Sequence, residues 1–281
     1  MDRLRRDILT MFFLFLPLLG MGETGNTPSI TVDWIKGSLE ISRTAIISPG
    51  ERGNVMEGQL NAATTAMEEI LGQFIRSMEF MRVDAYNTAQ SVLRNSYEKN
   101  YRLYQYNESI KKYSLRYDDN RVTVTKKYPF YGKDGFAHLL VRAGEDEGNF
   151  PRYPGYKFTA QFSGLIIDAR GLGRMPAFAP RIFDEAHNTV FCVDFMRGDS
   201  FERWGAVQYT NDPYYRGFLD RVGNNPFRVV AIRNDQLIET DIAISSEDAA
   251  ILLQHEESRH SLEQGRVIII LDPEVLLEVY K

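Results

Sequence analysis

The sequence predicts an α+β protein built as two sheet-plus-helix domains, with mainly antiparallel strands packed on helices. Three observations point there. In the first half, segments that alternate apolar and polar residues stand on either side of a long segment of helical period. In the second half, apolar strand-like runs at Leu165–Ile167 and Arg266–Leu271 enclose turns and one capped helix. Between the halves, Gly144–Gly155 (GEDEGNFPRYPG) concentrates Gly, Pro and acidic residues as a linker does. The domains are read as 30–143 and 156–281, with the linker at 144–155 and a leader at 1–22.

In the leader, Arg3, Arg5 and Arg6 precede an apolar run from Ile8 to Leu19, and Gly20 and Gly22 follow. This is the three-part pattern of a secretory signal peptide, with cleavage expected after Gly20 or Gly22. The run is too short to span a bilayer comfortably. The expected location is the periplasm; an uncleaved inner-membrane tether is the alternative. No Cys stands at the end of the run, so lipid attachment is chemically unavailable there.

Strands are expected at Thr31–Ile35 and Ser38–Ile47. From Asn54 the period becomes helical, with Met56, Leu60, Ala63, Met67, Ile70, Phe74 and Met78 on one face, which reads as core. Asn54 and Glu57 make a weak capping box. A second helix is expected at Asp84–Lys99. Strands follow at Ile110–Tyr117 and Arg121–Phe130, turned by Asp118-Asp119-Asn120, and at Phe136–Arg142.

The second half opens with a strand at Phe158–Ile167. It ends in a loop where Gly171 and Gly173 permit unusual backbone angles, and Pro176 and Pro180 stiffen the return. A hairpin is expected from Arg181–Asp184 and Thr189–Phe195. A polar insert, Arg197–Asn225, carries a short helix at Tyr214–Val222. Strands at Phe227–Arg233 and Leu237–Ile244 turn at Asn234-Asp235. Ser245, with Asp248 as acidic partner, caps a helix at Ser246–Glu256. Arg266–Leu271 is the last buried strand, and a short helix is expected at Glu274–Lys281.

Chemistry is sparse in this pattern. A net charge of −5 argues against a nucleic-acid partner. Cys192, the one cysteine, lies in an apolar run and reads as a buried small hydrophobe. Asp168 and Arg170, two apart at a strand end, read as a same-face ion pair closing the loop; a general base at Asp168 is the alternative. Gly171-Leu172-Gly173 lacks the third Gly of a dinucleotide fingerprint. His255 and His260 are five apart, so a shared zinc face is not expected. No catalytic residue, metal or cofactor is assigned. Tyr97, Tyr101, Tyr104 and Tyr106, interleaved with Lys and Arg, form the best interaction face, against the plainer reading of amphipathic rings on a solvated transition.

Three stretches carry a family resemblance: FSGLIIDARGLGRMPAFAPRIFDE, NPFRVVAIR, and TDIAISSEDAAILL through LEQGRVIIILD. They resemble a group of exported bacterial envelope proteins. The DWIKGSLEI strand with its alanine-bearing helix is similar to the small outer-membrane-lipoprotein domain of flagellar basal-disc and motor-accessory proteins. Asp168, Arg170, Gly171, Pro180, Asp241 and Ser245 occupy motif positions of the group. The resemblance implies a non-enzymatic structural part of an envelope assembly, such as a flagellar disc or ring. Its partners would be itself and other envelope or flagellar proteins. A peptidoglycan- or glycan-binding module is the alternative function, and a hydrolase assembled from distant residues is the second alternative.

Overall fold

The computed structural model describes residues 29–50, 53–94, 96–153 and 160–280. The signal-peptide reading at 1–22, Pro154 and Gly155 of the linker, and the start of the strand expected at Phe158 lie outside the described residues.

In the first half, β1 (Ser29–Asp33) and β2 (Ser38–Ile46) form an antiparallel hairpin. Helix α1 (Val55–Ser77) follows, and Asn54 caps it by accepting from the N–H groups of Met56 and Glu57 at 3.1 and 3.3 Å. Its buried row is Gly58, Ala62, Ala66, Ile70 and Phe74. Met56 and Leu60, expected on the core face, are 79% and 66% exposed. The correction has a steric cause. A side chain at Gly58 would strike the Ser48 carbonyl, so the backbone approaches closest where the helix carries its smallest residues.

Helices α2 (Ala89–Arg94) and α3 (Tyr97–Ser109) replace the single helix expected at Asp84–Lys99. The Asp84 carboxylate accepts from the N–H groups of Tyr86 and Asn87 at 2.7 and 2.9 Å, which folds a turn there, and Ser96 caps α3 as a fresh start. Strands β3 (Tyr113–Asp118) and β4 (Arg121–Pro129) pair as expected. The expected strand at Phe136–Arg142 is instead the short helix α4 (Ala137–Leu140). An apolar run this brief carries no period that separates the two.

In the second half, β5 (Leu165–Asp168) leads to β6 (Ile182–Phe183) and β7 (Thr189–Phe191), then α5 (Gly198–Trp204), β8 (Gln208–Thr210) and α6 (Phe218–Val222). Next come β9 (Phe227–Val230), β10 (Ile242–Ala243), α7 (Ser246–Leu253), α8 (Glu256–Glu263) and β11 (Val267–Ile270). The helix expected at Glu274–Lys281 is one turn, α9 (Pro273–Leu276), followed by β12 (Leu277–Tyr280).

The α+β class holds. A five-stranded antiparallel sheet has the order β12-β1-β2-β4-β3. A four-stranded sheet, β8-β11-β5-β9, is parallel throughout, an exception to the antiparallel pairing that prevails elsewhere. A small sheet, β10-β6-β7, completes the set. The hairpin expected between Phe227–Arg233 and Leu237–Ile244 is absent: β10 runs parallel to β6 and touches the end of the other segment only through the Ile232–Ala243 bridge.

The parallel sheet is buried on both faces. Leu165, Ile167, Val267 and Ile269 join the main core, while Ile166, Ile268 and Ile270 meet Phe218 and Val222 of α6. That main core runs on into the first half, where Trp34 packs its ring 5.2 Å from both Phe130 and Phe178 and 6.0 Å from Tyr209. The described part of the linker is fastened rather than free. The N–H groups of Gly144, Asp146 and Gly148 donate to the carbonyls of Val193, Asp194 and Phe195. Finally, β12 leaves the second half and pairs antiparallel with β1. Among the described residues, no helix is long and apolar enough to cross a membrane.

Candidate functional site

In an open parallel sheet, ligands gather beyond the carboxyl ends of the strands. Here that rim collects Asp168 at the end of β5, Thr210 at the end of β8 and Asp272 just past β11. The groups there mostly satisfy one another. Arg170 donates through Nε and Nη2 to the two oxygens of Asp168 at 2.9 and 2.5 Å. Those bonds hold the Asp168 carboxyl below its usual range, against the opposing pull of burial. The N–H of Gly171, at φ +74°, reaches both Asp272 oxygens at 3.1 and 2.9 Å. Asp212 turns back to accept from the Tyr214 N–H at 2.8 Å. The rim is therefore a set of clasps that fix the loop mouths. Asp168 is committed to Arg170, and among the described residues it has no bond to a histidine, a hydroxyl or a thiol.

The other motif positions play supporting parts. Asp241 is buried and accepts from Arg181 Nη2 at 2.7 Å and from the Arg181 N–H at 3.3 Å. Burial pulls the Arg181 guanidinium down, and its hydrogen bonds to Asp241 and Tyr86 outweigh that, leaving it above its ordinary value. Pro180 lies buried beside Ala179, whose N–H donates to the Val83 carbonyl at 2.7 Å and so fastens this loop to the first half. Ser245 caps α7 through its hydroxyl, which accepts from the Asp248 N–H at 3.0 Å and donates to the Asp248 carboxylate at 2.7 Å.

Residues 164–273 match the family model described as Treponema pallidum Tp0624, second domain. The match begins at Gly164 and ends just past Asp272, so it takes in the parallel sheet and its rim. Gly164 earns its place sterically: a Cβ there would lie 2.7 Å from both the Arg266 carbonyl and the Val222 side chain. The resemblance to lipoprotein and flagellar basal-disc domains gains nothing from the Tp0624 model. No curated protein matches the chain.

The histidines stand apart in role. His255 Nδ1 accepts from the Glu257 N–H at the start of α8, whereas His260 pairs with Glu263 at 3.1 Å. Among the described residues, no group of three His, Cys, Asp or Glu side chains converges on a cation position. Cys192 is buried, and burial pushes its thiol up, away from the reactive thiolate.

Sequence reasoning missed three buried cations among the described residues, Arg174, Arg221 and Lys126, and Arg174 donates to the carbonyls of Leu237, Ile238 and Asn234. Arg221 donates to the carbonyls of Gly265, Trp204 and Gly205 at 2.9, 2.7 and 2.9 Å and lies against the Trp204 ring; burial brings its guanidinium down to about 9. Lys126 is 6% exposed and donates to the Asn107 carbonyl at 2.7 Å, while Tyr128 donates to the Asn107 side chain at 2.7 Å. Their partners are mostly backbone carbonyls, which no residue-type pattern announces.

The tyrosine segment divides. Tyr97, Tyr101 and Tyr104 are exposed along α3, but Tyr106 packs on the core and donates its hydroxyl to the Asp134 carbonyl at 2.8 Å. Tyr106 therefore leaves the expected interaction face. Tyr113, Leu115 and Tyr117 on β3 are exposed instead. Lys99, Arg102, Lys111, Lys112 and Arg116 stand among these rings in a chain whose net charge is negative.

Proposed function

We propose that this chain is an exported, non-enzymatic envelope protein that works by docking into a larger periplasmic assembly, in the manner of a flagellar motor accessory disc or ring. The observation that carries the reading is the set of large exposed apolar side chains, Tyr97, Tyr101 and Tyr104 on α3 and Tyr113, Leu115 and Tyr117 on β3. Large exposed rings set among cations are the composition of a protein interface more than of an idle surface. The Arg3–Gly22 pattern supports export. The test is a pull-down from envelope extract, comparing the wild-type chain with the Tyr97→Ala/Tyr101→Ala/Tyr104→Ala variant. Specific partners lost in the variant support the reading. A deletion strain with unchanged motility and envelope integrity counts against it.

The spacing of the α3 rings favours a second reading. Tyr97, Tyr101 and Tyr104 fall four and three apart, a row about 10 Å long on one helix face. Such a row suits stacking against sugar rings of peptidoglycan. Co-sedimentation with purified cell wall, lost in Tyr101→Ala/Tyr104→Ala, distinguishes this reading from protein docking.

A further inference from the structure

Strand β3 ends the antiparallel sheet, and its outer edge pairs with no described strand. All its residues are exposed. Tyr113, Leu115 and Tyr117 oppose Lys126, Val124 and Val122 of β4, whose side chains are buried. Cross-strand partners share a face. The core face of the sheet therefore continues onto β3 and remains uncovered there.

The sequence of this edge is self-complementary when reversed. It reads Lys111-Lys112-Tyr113-Ser114-Leu115-Arg116-Tyr117-Asp118-Asp119. An edge defended against pairing usually carries charge that repels a second copy. Here the signs are split, lysines at one end and aspartates at the other. Resting on the assembly reading above, we propose that β3 pairs antiparallel with β3 of a second copy of this chain, with Leu115 opposite Leu115 on the twofold axis. In that register Tyr113 meets Tyr117, Ser114 meets Arg116 and Lys112 meets Asp118, each pair formed twice, and Lys111 lies near Asp119 in the β3–β4 turn of the second copy. Two sheets become one, and the apolar strip doubles in width. An interface of one short strand pair is smaller than that of a tight dimer, so association is weak and concentration-dependent.

The experiment uses the purified chain carrying Leu115→Cys. Directly opposed antiparallel residues lie about 4.5–5.5 Å apart at Cα, within the range a disulfide bridges. The native Cys192 is buried, so mild oxidation reports on position 115. A covalent dimer is expected. Adding Lys111→Glu/Lys112→Glu, or separately Asp118→Lys/Asp119→Lys, should lower the crosslinked fraction about tenfold through like-charge repulsion at both ends. Mixing these two variants should restore it, because each then faces its complement. Circular dichroism checks that each variant is folded. No dimer from Leu115→Cys, or crosslinking indifferent to the charge changes, overturns the proposal. If pull-down partners persist in that case, the docking reading stands and only self-pairing falls.

Discussion

Gly171 holds φ +74° while its N–H serves the Asp272 carboxylate, and a Cβ there would meet nothing within 4 Å. The cost of Gly171→Ala is therefore conformational alone, about 1 kcal/mol by urea unfolding, and Gly171→Asn should lose less. Asp241→Ala is expected to cost about 2 kcal/mol, because Arg181 keeps a half-buried charge and its Nε already has no hydrogen-bond partner among the described residues. Tyr128 and Tyr209 are buried, and burial raises both phenols above the ordinary 10.0. A folded-state value above the unfolded one gives stability that is complete below pH 10 and drains away as pH rises further. The part of the tyrosinate absorbance that Tyr128→Phe/Tyr209→Phe removes should therefore rise only as circular dichroism is lost; those two phenols ionising while the fold persists would contradict this. The Asp168–Arg170 pair was legible as opposite charges two apart at a strand end, although Arg170 lies in the turn past β5, where its N–H and guanidinium both reach the Asp168 carboxylate. Arg221 and Lys126 were not, since burial among carbonyls has no periodic signature.

At the scale of elements, capping residues were the most readable feature. Asn54 and Ser245 both cap where the sequence puts them, and Ser245→Ala should lower stability by about 1 kcal/mol in the same urea assay. Helix α1 was legible as a helix, and its core face was legible from Ala63 to Met78 but not in its first two turns. Hydrophobicity pointed to Met56 and Leu60, and close approach of the backbone selected Gly58, Ala62 and Ala66 instead. The parallel sheet was half legible. The unbroken apolar runs of β5 and β11 marked doubly buried strands. Strand β8 is too short to show alternation, and α8 was hidden because only Gln254, which closes α7, and His255, which caps α8, separate the two helices.

For the whole molecule, the apolar interior does not stop at the boundary the composition suggested. Phe178 lies with Trp34, Phe130 and Phe136, and β12 completes the sheet of the other half. One cooperative calorimetric transition is therefore expected, and two separated peaks would restore independent domains. Trp34 Nε1 donates to Glu278 across 244 positions of sequence. A nascent chain thus makes the β1–β2 hairpin early yet must wait for almost all remaining residues before β1 gains its second neighbour. Until then bare amide and carbonyl groups line that strand, inviting mispairing with other unfinished chains. The arrival of β12, more than the speed of local folding, sets the moment at which β1 becomes safe from mispairing.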